Sequence, residues 1–240
     1  MTRVHVEEPL AAGRGCLVSG TGANHISRVL RLREGDELTL FDGRGGEYAA
    51  RIAGFRKDAV QVEVQEHRPV ERESALDLTL VQGVSRGERM DIVMQKATEL
   101  GVRRIVPVLT ERTVVKLDDR QGERKAQHWR AIVISACEQC GRNRVPGVAS
   151  PLGFHETLRT LDADATRVLL SPAGTLRARD LARPSKVTLL VGPEGGLSDN
   201  EQLAAVAAGF QQVQLGPRIL RTETAALAAL AALQHDFGDL

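Results

Sequence analysis

The fold is decided by the stretch VTLLVGPEGGLSDNE, residues 187–201. Its first five residues are apolar or β-branched, which is typical of a buried strand. A glycine-rich loop at 192–196 follows, and Ser198 with Glu201 then matches the capping box that starts a helix. The stretch therefore predicts a strand, a loop and a helix in that order, which is the repeating unit of a parallel α/β sheet.

A second unit of the same kind follows at once. Residues 213–215 predict a strand, 216–221 (GPRILR) a second glycine-containing loop, and 222–237 a terminal helix. Open parallel sheets bind ligands beyond the carboxyl ends of their strands, so the two loops predict a small-ligand site rich in backbone groups. The alternative, that the two Gly-Pro turns only end their strands, stays open at this point.

Alternating strands and helices extend upstream to about residue 76. Further strands are predicted at 76–84, 104–109 and 167–170, and helices after a Ser85/Glu88 capping box and at 123–140. Apolar residues three or four positions apart mark the buried faces of these helices: Met90, Val93, Met94, Ala97 and Leu100 in the first, and Trp129, Ile132, Val133, Ala136 and Cys140 in the second. Residues 76–240 therefore predict an α/β domain.

Residues 1–70 have a different pattern, of short strands separated by turn signals. Strands are predicted at 4–6, 17–18, 38–41, 47–55 and 59–64, with one helical insert at 23–32. The segment DGRGG, residues 42–46, predicts a hairpin turn, because glycine tolerates the positive φ that such turns need. Together these elements predict a small β-barrel, and the polar segment 67–74 is the predicted linker to the α/β domain.

The composition excludes several classes of protein. The 240 residues are 42% hydrophobic and 26% charged, with 32 basic against 31 acidic side chains. That balance excludes an intrinsically disordered chain and a strongly basic polyelectrolyte. No apolar run approaches the roughly 18 residues of a membrane span, and the N-terminus lacks the apolar core of a secretory signal. A cytoplasmic enzyme or binding protein is the remaining expectation.

Common catalytic and cofactor motifs are absent from the sequence. There is no P-loop, no dinucleotide-binding glycine fingerprint after a strand and no nucleophile elbow. The three cysteines include one Cys-x-x-Cys pair, Cys137 and Cys140, within a predicted helix. We interpret the pair as two small buried residues, with a zinc site or a redox pair as the alternatives. No metal site is expected.

Several segments together resemble the RsmE family of 16S ribosomal RNA uridine N3 methyltransferases, in the SPOUT superfamily. They are GPEGGLS (192–198), LGPRILRTETA (215–225), QKATELG (95–101), TERTVVK (110–116), EQCGR (138–142) and HISRVLR (25–31). The resemblance spans nearly the whole chain. One departure is Cys140, where serine is the usual residue of the family.

The resemblance implies a fold, an activity and partners. It implies a PUA-like RNA-binding β-barrel at 1–70 and a SPOUT domain at 76–240, whose C-terminal segment is threaded into a trefoil knot. Without the resemblance that topology would be rejected, because knotted chains are nearly absent among folds. The implied activity is methyl transfer from S-adenosylmethionine to N3 of one uridine in 16S rRNA, within the 30S subunit, by a homodimer.

The resemblance and the chemistry of N3 methylation together suggest the site residues. Arg221 is the candidate to stabilise the uracil anion, with a helix cap or a pair across the interface as the alternative. Glu138 or Glu194 is the candidate to accept the N3 proton, with a surface helix position as the alternative for Glu138. His25, Arg28, Arg31 and Arg142 are the expected RNA contacts. The expected cofactor contacts lie in or beside the two loops: Leu170, Gly192, Pro193, Gly195, Gly196, Leu215, Gly216, Ile219, Leu220 and Thr222.

Two other functions remain open from the sequence. One is a non-catalytic RNA-binding protein with the same fold, and the other is an α/β enzyme of different chemistry. For the homodimer, the terminal helix is the expected interface, because residues 225–232 place six alanines around Leu227 and Leu230 and leave little polar surface for water.

Overall fold

The computed structural model describes residues 2–240, which form two compact units. The first contains residues 2–73 and Cys137–Val145, and the second contains Ser74–Ala136 and Pro146–Leu240. The short segment Cys137–Val145 therefore belongs to the first unit although the sequence around it belongs to the second. No helix in the described part of the chain is long and apolar enough to cross a membrane.

The first unit is a curled five-stranded sheet. Its elements are β1 (Arg3–His5), β2 (Gly15–Ser19), α1 (Gly20–Asn24), a π-helical turn (His25–Val29), β3 (Glu37–Phe41), β4 (Glu47–Arg56) and β5 (Ala59–Arg68). The strand order is β1-β3-β4-β5-β2, and only the β1/β3 pair of this sheet is parallel. This is the PUA-like architecture expected from the sequence.

The core of the first unit follows from strand alternation. Val60, Val62 and Val64 of β5 are buried while the residues between them are exposed, as their period of two predicts. They pack in one apolar cluster with β1, β3, β4 and Ile26 of the π-helical turn. The predicted hairpin at 42–46 joins β3 to β4, and Gly43 there has φ +77°, which a side chain would strain.

The second unit is a parallel sheet flanked by helices. Its elements are β6 (Asp77–Gly83), α2 (Glu88–Glu99), β7 (Arg104–Leu109), α3 (Asp119–Cys140), β8 (Gly147–Val148), β9 (Leu152–Gly153), α4 (Phe154–Thr160), β10 (Thr166–Leu170), β11 (Lys186–Val191), α5 (Asp199–Ala207), β12 (Gln211–Val213) and α6 (Thr222–Phe237), with a 3-10 turn at Ala178–Asp180. The sheet order is β12-β10-β11-β6-β7-β8, with β9 also paired to β7, and every pairing is parallel.

The two predicted capping boxes have different outcomes. At α5, the Ser198 hydroxyl accepts the Glu201 N–H and the Glu201 carboxylate accepts the Ser198 N–H, so this box is confirmed. At α2, the predicted Ser85/Glu88 box is wrong. Gly87 is the N-cap, with φ +56°, and the Ser85 hydroxyl donates to the Gly83 carbonyl instead. A glycine in this conformation turns the chain into the helix without a side-chain cap.

The terminal helix returns from the edge of the sheet to its middle. β12 is an edge strand, yet the first residue of α6, Thr222, donates to the Gly192 carbonyl after β11 and accepts from Gln82 of β6. Further along, α6 packs on α2, and Gln234 bonds to Ser74 and to the Leu100 carbonyl. These buried bonds hold the C-terminal segment against the centre of the unit.

Candidate active site

A cleft of about 660 Å³ lies at the carboxyl ends of β10 and β11 and beside the segment that follows β12. It is within the range of small-molecule sites, and it lies where an open parallel sheet places its ligands. Three stretches supply most of its wall: 169–172, 191–197 and 215–223. Both glycine-containing loops predicted from the sequence therefore meet at one cavity.

The loop at 192–196 is compact, and there is little room for a side chain at Gly192. A Cβ on Gly192 would lie 3.1 Å from the Gly196 carbonyl carbon and from the Leu197 nitrogen. At the end of β6, a Cβ on Gly83 would lie 2.3 Å from the Pro193 nitrogen. The loop thus folds on itself and seats against the neighbouring strand, which holds its backbone groups in place at the cleft.

The loop at 215–221 has one strained position and one buried anchor. Gly216 has φ +119°, in a region that other residues rarely adopt, and open space surrounds its Cβ position. Thr222 anchors the end of this loop through its bonds to Gly192 and Gln82. Ile219 lies between Gly216 and Thr222 in the sequence and lines the cleft. Its apolar side chain is 80% exposed.

All ten expected cofactor contacts line this one cleft: Leu170, Gly192, Pro193, Gly195, Gly196, Leu215, Gly216, Ile219, Leu220 and Thr222. They come from parts of the chain separated by up to about fifty residues. The parallel sheet brings them together because β10 lies between β11 and β12, and the carboxyl ends of these three strands share an edge.

Glu194 lies in the cleft wall and is held as a carboxylate. Partial burial works against the charged form, but the Arg86 N–H (3.0 Å) and the Arg89 guanidinium (2.8 Å) outweigh it. The pKa of Glu194 is therefore lowered from its ordinary value. A carboxylate with a lowered pKa and occupied lone pairs is a weak proton acceptor, so this geometry favours a positioning role for Glu194 over a role as base.

The other two candidate catalytic residues differ in position. Arg221 lines the cleft as the N-cap residue of α6, and its exposed side chain has no hydrogen bond or ion pair within residues 2–240. Glu138 belongs to the first unit, where its carboxylate accepts the His5 N–H at 3.0 Å. It is not among the residues that line the cleft.

The expected RNA contacts lie in the first unit, and one of them needs correction. His25, Arg28 and Arg31 are in or next to the π-helical turn, and both arginines are exposed. Arg142 is only 3% exposed, and its guanidinium bonds to both carboxylate oxygens of Glu73, at 2.6 and 3.0 Å. An arginine buried in an ion pair is not available to phosphates, so we remove Arg142 from the expected RNA surface.

Sequence reasoning missed several polar residues of the cleft. Arg89, Arg112, Ser171, Gln202, Arg218 and Glu223 also line it. Arg112 lies inside the motif at 110–116, and Arg218 and Glu223 lie inside the motif at 215–225, so the sequence contains a signal for them. Arg89 is different, because it comes from α2, and only the tertiary fold brings it to Glu194, with Glu223 3.9 Å away.

The cysteines contribute no evident chemistry to the site. Burial raises the pKa of the Cys137 thiol to about 12, and its Sγ lies 3.8 Å from the Arg144 carbonyl. Cys140, predicted to be buried, is only partly so, and all three cysteines are free. Among residues 2–240 no group of three His, Cys, Asp or Glu side chains is arranged to hold a metal ion.

Comparisons with known protein families define the class of this protein. Residues 72–234 match the family described as the RNA methyltransferase domain, and residues 18–65 match the RNA methyltransferase PUA domain. A PUA-like sheet and a parallel sheet with a loop-lined cleft are thus the two parts of an RNA methyltransferase.

Individual relatives define the family more closely. Ribosomal RNA small subunit methyltransferase E of Buchnera aphidicola (subsp. Schizaphis graminum) is 33% identical over 99% of this chain and 97% of its own, and that of Bacillus subtilis is 34% identical over 91% and 89%. The enzyme of the same name from Neisseria gonorrhoeae, solved bound to S-adenosylmethionine, is 40% identical, with a TM-score of 0.93 over 100% of this chain and 99% of that one. A Legionella pneumophila protein solved with SAM is 41% identical, with a TM-score of 0.96 over the same shares. The chain belongs to the ribosomal RNA small subunit methyltransferase E family.

Proposed function

We propose that this protein transfers a methyl group from S-adenosylmethionine to N3 of one uridine in 16S rRNA. The observation that carries the proposal is the convergence of both glycine-containing loops on one cleft in a member of this family. Similar proteins solved with S-adenosylmethionine support the choice of cofactor.

The residues of the cleft fit such a cofactor. Its walls combine apolar side chains such as Leu170, Leu215 and Ile219 with the backbone of the two glycine-containing loops. Apolar walls suit a flat purine, and exposed peptide groups suit the polar edges of the base and the amino acid. The bound cofactor supplies an activated methyl group on a sulfonium, which needs no metal and no covalent enzyme intermediate.

The protein's own contribution to the reaction is alignment and charge. The uridine N3 must lose its proton to become a nucleophile, so a cation near the uracil oxygens favours the anion that forms. Arg221 is our candidate for that cation, since it lines the cleft and its side chain has no other partner within the described residues. Glu194 holds the loop through Arg86 and Arg89 and does not need to accept a proton.

A methyl-transfer assay tests the proposed function. Wild-type protein with labelled S-adenosylmethionine should methylate free 16S rRNA or 30S particles, and mass spectrometry of the digested RNA should identify 3-methyluridine. Comparison of the two substrates shows which one the enzyme uses. Binding of RNA without cofactor binding or methyl transfer would instead support the non-catalytic alternative, and a modified base other than uridine would contradict the proposed chemistry.

The role of Arg221 has its own test. Replacing Arg221 by Ala should lower kcat by about 10²–10³, the usual effect of removing one charge-stabilising donor, while cofactor affinity stays within a few-fold of wild type. Arg218→Ala is the matched control, because Arg218 is another exposed arginine of the same loop and cleft. Equal losses in both variants would contradict a specific role for Arg221.

We further propose that the two parts of the chain have different roles. Residues 1–70 serve the RNA, through His25, Arg28 and Arg31, and residues 76–240 carry the catalytic site. The match of residues 18–65 to a PUA domain supports the first assignment. Cys137–Val145 belongs to the same compact unit, so we group that segment with residues 1–70.

We also propose that the enzyme is a homodimer that uses α6. Along this helix Leu227, Ala228 and Ala231 are partly exposed, and so offer an apolar stripe to a partner. Ala229 is only 4% exposed, buried within its own chain, so a charge there would disturb the fold rather than test the interface. Ala228→Glu is the better variant. It should shift the mass in light scattering towards the monomer and lower methyl transfer, and a fully active dimeric variant would refute the interface.

We propose that the C-terminal segment after β12 is threaded into a knot. The return of the chain from the edge strand β12 to Gln82 in the middle of the sheet supports it, because the C-terminal segment must then pass the loop at 192–196. A threaded terminus is expected to make refolding slow. Loss of that slow refolding phase in a variant truncated before α6 would be consistent with threading.

A further inference from the structure

A second cleft, of about 450 Å³, lies in the second unit and is rich in basic side chains. Lys116 and Leu117 form one side, and the other is a stripe of α3 made of Gln121, Arg124, Lys125 and His128. The four helix residues are spaced three, four and seven positions from Gln121, so they share one face of α3. Helical periodicity therefore places the four α3 residues on one side of the cleft, and the segment before α3 supplies Lys116 and Leu117 on the other.

The three permanent cations of this cleft are not neutralised by the protein. Within residues 2–240 the side chains of Lys116, Arg124 and Lys125 form no ion pair, whereas Lys96 and Lys186 each pair with a carboxylate. Like charges that line one cleft repel one another, and an anion bound between them offsets that repulsion. The unpaired cations of the cleft therefore favour the binding of an anion.

Three nearby acidic groups have hydrogen-bond partners other than Lys116, Arg124 and Lys125. Asp118 accepts the Gln121 N–H at 2.8 Å, Glu123 accepts the Ser150 hydroxyl, and Asp91 faces His128 at 3.1 Å. Of these three carboxylates, only that of Asp91 contacts an ionisable side chain of the cleft, and that side chain is His128. Lys116, Arg124 and Lys125 are left for an external ligand.

The basic cleft is connected to the active-site cleft by a short stretch of chain. Arg112 lines the active-site cleft and donates to the Gly195 carbonyl at 3.2 Å, and Lys116 lies four residues further on. Four residues span at most about 14 Å, even when fully extended. A strand of nucleic acid whose target base enters the active-site cleft would therefore have its neighbouring phosphates close to the basic cleft.

We propose that Lys116, Arg124 and Lys125 bind phosphate groups of the rRNA strand that flanks the target nucleotide. The inference rests on the proposed function, and it assigns part of the RNA-binding surface to the second unit, which contains the active-site cleft. An open row of exposed cations suits a polyanion that lies along it. A site for a free nucleotide typically cradles its phosphate with backbone amides of a glycine-rich loop, and the segment 116–128 contains only one glycine, Gly122, within a helix.

A pair of charge-matched variants tests the proposal. Lys116→Ala with Arg124→Ala removes two cations of the cleft, and Arg130→Ala with Arg159→Ala removes two exposed cations outside it. RNA affinity of the full-length protein is measured across a salt series. We expect the cleft variant to bind more weakly and to lose up to about 1.4 from the slope of log K against log salt, since each single-strand phosphate contact contributes about 0.7. The control should keep both values, and S-adenosylmethionine affinity should be unchanged in all proteins.

The outcomes separate this proposal from the proposed function. If both variants lose the same RNA affinity and salt slope, or the cleft variant loses neither, the phosphate site is overturned. The proposed function is still supported in that case if the wild-type protein transfers methyl groups. Absence of methyl transfer by wild type would refute the function, whatever the salt slopes. Inorganic phosphate serves as the last probe. Saturable binding that the cleft variant loses, with RNA affinity intact, would make this a site for free phosphate and overturn the assignment to RNA.

Discussion

Arg142 is buried in an ion pair with Glu73, so its removal should destabilise the protein. Its side chain is 4% exposed and that of Glu73 is 9% exposed, and two hydrogen bonds join them. Replacing Arg142 by Ala leaves the Glu73 carboxylate buried without its cation. Breaking such a pair from one side costs about 3–5 kcal/mol, mainly because the remaining charge is left desolvated.

The loss of stability depends on whether one partner of the pair or both partners are replaced. Arg142→Met combined with Glu73→Leu removes both charges and fills their space with apolar groups, so it should cost far less than the single change and could even stabilise the protein by about 1–4 kcal/mol. Arg144→Ala is the control for a neighbouring arginine. Its pair with Glu71 is 3.5 Å long and exposed at both ends, and it should contribute at most about 1 kcal/mol.

Urea unfolding followed by circular dichroism, at one protein concentration, measures these differences. RNA affinity is measured separately in conditions where each variant is folded. We expect Arg142→Ala to lower the unfolding midpoint strongly and to leave the salt dependence of RNA binding as in wild type. A variant of normal stability with weakened RNA binding would refute the structural role and restore Arg142 to the RNA surface.

Gly216→Val should abolish S-adenosylmethionine binding in calorimetry without changing the circular dichroism spectrum, because φ +119° strains any side chain in an exposed loop. Since the pKa of Glu194 lies below its unfolded value of about 4.5, its stabilising effect is complete above that pH and lost as pH falls through the folded value. Thermal melts of Glu194→Gln should therefore differ from wild type at pH 7 and converge with it in acid. Arg28→Ala with Arg31→Ala should weaken RNA binding and reduce its salt slope, and an unchanged slope would show that these arginines are only solvated.

Much of the fold could be predicted from the sequence because its signals are local. The terminal helix occupies the predicted residues, and β7 matches its predicted range, since hydrophobic period and glycine position report backbone geometry within one element. Shorter elements were missed. β8, β9 and α4 have two to seven residues, too few for a period to show.

The candidate site divides in the same way. The two glycine-containing loops are recognisable because each lies directly after a strand. The loops meet because their strands, β11 and β12, both pair in parallel with β10. Which charged residues face the cleft was not recognisable. Arg89 reaches Glu194 only because α2 packs beside the loop, about one hundred residues away in sequence.

Burial was the property that only the tertiary structure decided. A sequence shows that Arg142, Glu138 and Ala229 have a given chemistry, and periodicity places two of them on helices. Whether a side chain is free depends on partners far along the chain, such as Glu73 for Arg142 and the His5 N–H for Glu138, and Ala229 is buried within its own chain. Local sequence signals determine backbone conformation, whereas solvation and ion pairing depend on long-range contacts that no local pattern records.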